Sequence, residues 1–415
     1  MTPSQVSNNP RLVKEADALV DAGHDVRVVS MSARPDVDAR DRLLMATRRW
    51  SLCTVEGGPR TGGAARLRWL GSAVRQRVAS RVFDLGMRSA QVRDLAASRF
   101  LGEQIDAVCA QRPDVVVGHN LAALPVAVRA ARRLGARVGF DVEDLHVEVM
   151  PDDAAHRGER ALVAAVEAAY LPSCDFVTAS SEGIADEVAR RYGVRRPTVV
   201  HNVFPTEAAR GAGLESARDG SPGLSLYWYS QVIGAGRGLE DAVIALSMLP
   251  EPASLHLRGE SDPQFVPRLL ALAAERGVRD RVHLLPPAPA DELVALAAQH
   301  DVGLALEIPD TLNRALCVTN KLFTYLAAGV AVAATDTPGQ RRIIEQCDDA
   351  GFLYPPGDAA ALAAGIARWA ESRERLAAAR EDARRSALER FSWERERLAL
   401  LAAVVGDSSR VAAIA

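Results

Sequence analysis

Two spacings of apolar residues alternate along the chain. Short, nearly continuous apolar runs occupy 25–31 (DVRVVSM), 114–119 (DVVVGH), 136–141 (ARVGFD), 175–180 (DFVTAS) and 197–202 (PTVVHN) in the first half. In the second half they occupy 224–230 (LSLYWYS), 254–259 (SLHLRG), 281–286 (RVHLLP), 302–307 (VGLALE), 330–335 (VAVAAT) and 351–355 (GFLYP). Between them, stretches such as PRLVKEADALVDAG and ADELVALAAQHD return an apolar residue every three or four positions, the repeat of a helix with one buried face. Runs that are apolar without alternation belong to strands buried on both sides, so strands alternating with amphipathic helices predict parallel sheets covered by helices on each face. The pattern is that of two doubly wound, Rossmann-like α/β domains joined near Val203 to Glu207.

A domain of this kind opens on a strand, yet the chain starts MTPSQVSNNPRLVKE, already in the loop before the first helix. The first strand is either a stub or starts upstream of residue 1, and the second is the expectation. Residues 57–100 are less regular. GGPRTGG reads there as a flexible turn, and the segment carries nine arginines against Asp84 and Asp94.

A length of 415 residues exceeds one ordinary core and fits two domains of roughly 200 residues each. No run of eighteen apolar residues is present, which excludes an ordinary transmembrane helix, and no secretory leader pattern opens the chain, so a cytoplasmic location is expected. The five cysteines are odd in number and show no CxxC spacing, which reads as reduced, mostly buried thiols. All 50 basic residues except Lys14 and Lys321 are arginine, a coding bias that removes arginine content as an argument for nucleic-acid binding. Through Pro205 there are 28 basic against 25 acidic residues and beyond it 22 against 28, so the first half is the basic one.

Motifs in both halves resemble one family. YWYSQVIGAGRGLEDAVIAL, SLHLRGE, RVHLLPPAPADELVALAAQHDVGLAL, NKLFTYLAAGVAVAATD and GFLYPPGDAAALAAGIARW stand in the order and spacing of the donor domain of GT-B glycosyltransferases. NNPRLVKEADALVDAGHDVRVVSM, DVVVGHNLAALPVA, GFDVEDLH and TASSEGIADEVARRYGV are similar to the matching acceptor domain. The resemblance covers nearly the whole chain and is strongest to the retaining, nucleotide-sugar-dependent family 4. It implies a GT-B fold with two domains facing a central cleft: residues 1–203 on the acceptor side, 204–390 for the donor, and a closing segment, 391–415, packing back toward the first domain. It implies transfer of a sugar from a UDP- or GDP-type nucleotide sugar to an acceptor hydroxyl, with no further cofactor, no metal and no nucleic acid.

Each motif answers a need of such a donor. Gly234, Gly236 and Gly238 let backbone amides approach a diphosphate at the positive end of the following helix. Arg237, by resemblance to the basic residue of the family's donor loop, is the guanidinium expected on the phosphates. Asn320 and Lys321 precede the apolar helix LFTYLAAG, where a compact ammonium adds to the helix start. The resemblance also makes Arg258 and Leu285 donor contacts, and places His119, at the end of VVVGH, near the transferred sugar. Asp141, Glu143 and Asp144 follow the next strand and are expected to meet acceptor hydroxyls, as are Asn8 and Arg11 in the first loop; helix capping before Pro10 explains Asn8 and Asn9 equally well.

The chain departs from the family where a pair of glutamates eight residues apart is usual, the second of them binding the ribose. Leu316 and Thr324 stand there instead. Thr324 keeps one hydroxyl for the ribose, and Glu307 is a substitute carboxylate at a strand end. Two rival readings follow: a non-catalytic GT-B partner subunit, motivated by Thr324 and the absent first strand, and a nucleotide-sugar 2-epimerase, which needs no acceptor. The DVD at 36–38, among Arg34, Arg40 and Arg42, reads as a solvated loop rather than a metal site, and the histidines show no HxH or HExxH spacing. Arg77, Arg81 and Arg88, spaced by four and seven, share a helical face bordered by Val74, Val78 and Leu85, which predicts at most a weak, salt-sensitive peripheral contact with the inner face of a membrane.

Overall fold

The computed structural model describes residues 1–32, 35–58, 63–211, 223–250 and 253–406. They form two compact units, Met1–Val200 with the chain from Arg397 onward, and His201–Glu396.

In the first unit the strands are β1 (Arg27–Ser32), β2 (Ser51–Glu56), β3 (Val115–His119), β4 (Arg137–Val142), β5 (Phe176–Ala179) and β6 (Thr198–Val199), and every pairing is parallel. β1 and β2 form one ladder and β3 to β6 another. The chain's first residues join them. Thr2 N donates to Val29 O (3.0 Å) and Met31 N to Ser4 O (3.1 Å) on one side, while His119 N donates to Met1 O (3.0 Å) on the other. The order is thus β2, β1, Met1–Ser4, β3, β4, β5, β6, with the stub Met1–Ser4 in the place of the first strand.

Strand β2 was not anticipated; it is half-exposed and lacks a continuous apolar run. The DVD motif is another correction, because it lies on the helix Pro35–Met45 rather than in a loop. There Asp38 accepts hydrogen bonds from Gln5 Nε2 (2.6 Å) and Ser32 Oγ (2.9 Å). Residues 59–62 of the expected flexible turn, with Arg60, and also Arg34 lie outside the described residues.

The second unit holds β7 (Leu224–Ile233), β8 (Ala253–Ser261), β9 (Val282–Leu285), β10 (Val302–Ala305), β11 (Ala331–Thr335) and β12 (Gly351–Tyr354) in one parallel sheet of order β12, β11, β10, β7, β8, β9. Alternation along β7 sends Leu226 and Trp228 into one buried cluster and Tyr227 and Tyr229 into another, so both faces are covered, as the continuous apolar runs required. In both units the strand order reverses beside the first strand: between the stub and β3, and between β7 and β10. Ligands of doubly wound sheets bind at the carboxyl ends of strands at such a reversal.

Candidate functional site

At the reversal in the first unit, β3 ends on His119 and its neighbour β4 carries Asp141 opposite it. The helix Pro10–Asp21 starts there too, with Asn9 capping it through a hydrogen bond from Leu12 N (2.9 Å) and Pro10 in its first turn. In the same turn, Arg11 donates from Nε (2.7 Å) and Nη2 (2.8 Å) to the two oxygens of Asp141, and from Nη1 to Val200 O (2.7 Å). Thr178 Oγ1 donates to Asp141 Oδ1 (2.6 Å). Glu15, four residues after Arg11 and so on the same helix face, lies 3.3 Å from Arg11 Nε and 3.4 Å from His119 Nε2. His119 Nδ1 stands 3.6 Å from Asp141, beyond a direct hydrogen bond, and is a buried ring nitrogen without a partner among the described residues.

The electrostatics follow from this packing. Burial alone would raise the Asp141 carboxyl, but the Arg11 guanidinium overrides it and holds Asp141 well below the usual carboxylate range. Burial, reinforced by the charge of Asp141, raises Glu15, and the same two causes push Glu143 up to about 6. The ligand atoms of Glu15, His119 and Asp141 lie within 4.8 Å of one another, but the cation among them is Arg11, which already engages both Asp141 oxygens. A metal ion would have to displace a buried guanidinium.

Of the residues expected to meet the acceptor, Arg11 and Asp141 are therefore buried and bound to each other. Asn8 is exposed at the end of the turn Val6–Asn8, Glu143 is half-buried and Asp144 exposed. Two further residues are brought in that sequence reasoning missed. Glu15 was findable from its spacing to Arg11. Asn120 was not: directly after His119 it has φ +65° and ψ 149°, a conformation that costs a non-glycine residue of order 1–3 kcal/mol. Its Oδ1 accepts from Thr2 Oγ1 and Asn9 Nδ2, both at 3.3 Å.

In the second unit, β7 runs into Gly234–Gly238 and then the helix Leu239–Met248, whose start no side chain caps. Gly236 (φ +71°) and Gly238 (φ +69°) are left-handed, and a Cβ on Gly238 would lie 3.0 Å from Leu306 Cβ. Arg237, between them, makes no hydrogen bond to the described residues, though its charge helps lower the Glu307 carboxyl. Arg314, which no sequence signal marked, donates to Gly236 O (3.1 Å) and so ties the loop to the helix Leu312–Leu316.

Across the reversal, Glu307 follows β10. Lys321 is 7 % exposed, with Nζ 3.0 Å from Glu307 Oε1, 3.3 Å from Thr319 Oγ1 and 5.5 Å above the Trp228 ring. Burial would raise Glu307, but Lys321 brings it down. The ammonium singled out in the sequence is thus half of a buried ion pair, and its partner is the carboxylate proposed as a substitute. Asn320 is exposed and its Oδ1 accepts from Asn202 Nδ2 (3.0 Å). Arg258 donates to Tyr227 Oη (2.9 Å) and Pro286 O (2.8 Å), beside Leu285 on the next strand. Thr324 differs from the expectation of a ribose hydroxyl contact. It is 0 % exposed, its hydroxyl 2.6 Å from Tyr229 Oη and donating to Asn320 O (3.0 Å), so it faces the core.

Comparison with known proteins gives these features a context. Residues 11–208 match the family described as Glycosyltransferase Family 4, and residues 236–372 match Glycosyl transferases group 1. No curated protein sequence matches the chain. Among solved structures, HepE of Anabaena in complex with UDP is similar at 14 % identity, with 98 % of each chain covered and a TM-score of 0.70. A glycosyltransferase from Rickettsia africae is similar at 16 % identity, covering 98 % of this chain and 97 % of that one, with a TM-score of 0.68. Sucrose-phosphate synthase from Thermosynechococcus elongatus is similar at 17 % identity, covering 95 % and 91 %, with a TM-score of 0.65.

Proposed function

From the premise that this chain belongs to the GT-B glycosyltransferases, a Family 4 domain followed by a group 1 domain, we propose that it moves a sugar from a uridine or guanosine diphosphate sugar to an acceptor hydroxyl with retention of anomeric configuration. The observation that carries the reading is Arg237, held between two left-handed glycines beside an uncapped helix start at the reversal of the second sheet. Open amides and a guanidinium in that arrangement recognise a diphosphate. The UDP in the Anabaena HepE complex supports a uridine nucleotide.

In this reading residues 204–390 bind the donor and residues 1–203 the acceptor. Arg237 and the starts of the helices Leu239–Met248 and Asn320–Ala328 offset the charge that grows on the departing diphosphate. The bond from the anomeric carbon to the diphosphate oxygen breaks as the bond to the acceptor oxygen forms on the same face, and the leaving phosphate oxygen takes the acceptor proton. Lys321 acts through Glu307, the pair fixing the start of its helix. His119, its ring nitrogens turned to Glu15 (3.4 Å) and Asp141 (3.6 Å), stands near the transferred sugar at the end of β3. Catalysis takes place in the cytoplasm, with weak peripheral contact to the inner face of the membrane.

Calorimetry tests the central assignment. Arg237→Ala is expected to weaken UDP by about 10- to 100-fold, the value of a charge-assisted hydrogen bond, and to leave uridine unchanged. Equal binding of UDP by variant and wild type removes Arg237 from the phosphates. The anomeric proton coupling of the product, read by NMR, decides retention, and an inverted product overturns it.

A further inference from the structure

The helix Gly63–Asp84 has two faces of opposite character. Inward it presents Ser72, Ala79 and Phe83, all buried, and Gln76 Nε2 donates to Ala96 O (3.0 Å). Arg99 reaches back to Ser72 Oγ (2.9 Å) and Trp69 O (2.7 Å), which fixes the helix against the unit. Outward it repeats Leu67, Leu70, Val74 and Val78, at intervals of three and four, with 70, 44, 58 and 55 % of their surface exposed. Leu85 and Met87, also exposed, follow the helix end. Single exposed aliphatics are ordinary on a folded protein, whereas a helical stripe of four marks an interaction surface.

Both margins of the stripe are cationic. Helical periodicity puts Arg66 and Arg77 along one margin and Arg68 and Arg75 along the other, with Arg81 closing the stripe itself one turn beyond Val78, and no acidic residue occurs from 63 to 83. Arg68 and Arg75 lie 3.8 and 3.4 Å from Glu56 and Glu103, while Arg66, Arg77 and Arg81 have no acidic partner among the described residues. Arg88, expected on the same face, is not on this helix: it follows Gly86 (φ +95°) and sits 5.3 Å over the Phe83 ring.

Resting on the peripheral contact proposed above, we propose that this helix lies flat in the interface of an anionic bilayer and inserts the stripe Leu67, Leu70, Val74 and Val78 among the acyl chains. The arginines on its margins reach up to the lipid phosphates on their aliphatic stems. No helix among the described residues is long and apolar enough to cross a membrane, so the stripe lies on the bilayer rather than through it. Pairing of the stripe with a second copy would set cationic margins against cationic margins, which like-charge repulsion opposes. Insertion changes what salt does: screening removes the arginine contribution but leaves the aliphatic one.

Sedimentation of the full chain with vesicles tests this, using phosphatidylglycerol mixed into phosphatidylcholine, and phosphatidylcholine alone, at low and high salt. Wild type is expected to pellet with the anionic vesicles at low salt and to keep a bound fraction at high salt. The surface variant Leu67→Gln/Val74→Gln/Val78→Gln is expected to lose that fraction and to partition about tenfold less at low salt. Arg66→Gln/Arg77→Gln/Arg81→Gln is expected to lose the preference for anionic vesicles. If the glutamine-for-aliphatic variant partitions as wild type does, insertion is overturned while peripheral contact stands. If wild type stays in the supernatant with every vesicle, both fall, and a wild-type dimer in analytical ultracentrifugation that this variant dissociates assigns the stripe to a second copy instead.

Discussion

Replacing Arg11 by methionine isolates the buried ion pair at the first reversal. Methionine keeps most of the stem volume, so the change removes charge and hydrogen bonds rather than opening a cavity. Asp141 loses both guanidinium bonds and keeps Thr178, and Val200 O loses its donor. Stranding one partner of a buried pair costs about 3–5 kcal/mol, a large share of a domain's net stability. The pH dependence has a definite sign. In wild type the Asp141 pKa is depressed, so its contribution is present above the unfolded value near 3.9 and is lost only as pH falls through the lower folded value. Without Arg11, burial raises Asp141, and stability is lost instead as pH rises from about 4 through the raised value. The gap between variant and wild type is therefore widest near pH 7 and narrows toward about pH 4.5. Because the two units need not unfold together, hydrogen exchange at β3 and β4 amides is the assay of choice. Arg11→Met/Asp141→Leu, which removes both charges, is expected to recover most of the loss. A loss under about 1 kcal/mol at neutral pH, or one that neither acid nor the double variant relieves, refutes the argument.

Two further substitutions probe the second unit. Thr324→Glu puts a carboxylate where the hydroxyl meets Tyr229 and Asn320, and is expected to destabilise by about 3 kcal/mol or more without tightening UDP; thermal melting and calorimetry check it, and a gain in affinity would return the helix to the ribose. Gly238→Ala forces a Cβ toward Leu306 in left-handed backbone, at about 1–2 kcal/mol, and is expected to raise KM for the donor more than it lowers kcat; unchanged kinetics would mean that the loop does not shape the donor site.

The apolar runs mark the strands that the sheet buries fully, β10 and β11, and also β9, which is partly exposed but keeps Val282, Leu284 and Leu285 close together. β2 escaped because a half-exposed strand has neither a continuous run nor a clean period. The glycine turn was legible because its left-handed residues, Gly236 and Gly238, are set by their immediate neighbours in sequence. The pairs Arg11–Asp141 and Lys321–Glu307 were not, since 130 and 14 residues separate partners that only the sheet brings together. Their members were named one by one as ligand contacts, and what no linear pattern carries is that each charge is already answered within the protein. Thr324 illustrates the same limit: a motif position was assigned to the ribose, while the rotation of the helix turns that side chain into the core.

The last helix, Trp393–Val405, belongs by its final residues to the first unit, where Arg137 Nη1 donates to Val404 O (2.7 Å) across 267 positions of sequence. At about 5–20 residues per second, a ribosome delivers Val404 roughly a quarter of a minute to a minute after Arg137. The first unit to be synthesised is therefore the last to be completed. Its carbonyl partners for Arg137 arrive only after the whole second unit has emerged, so for that interval the nascent chain holds a finished second unit and a first unit still missing its helical segment from Arg397.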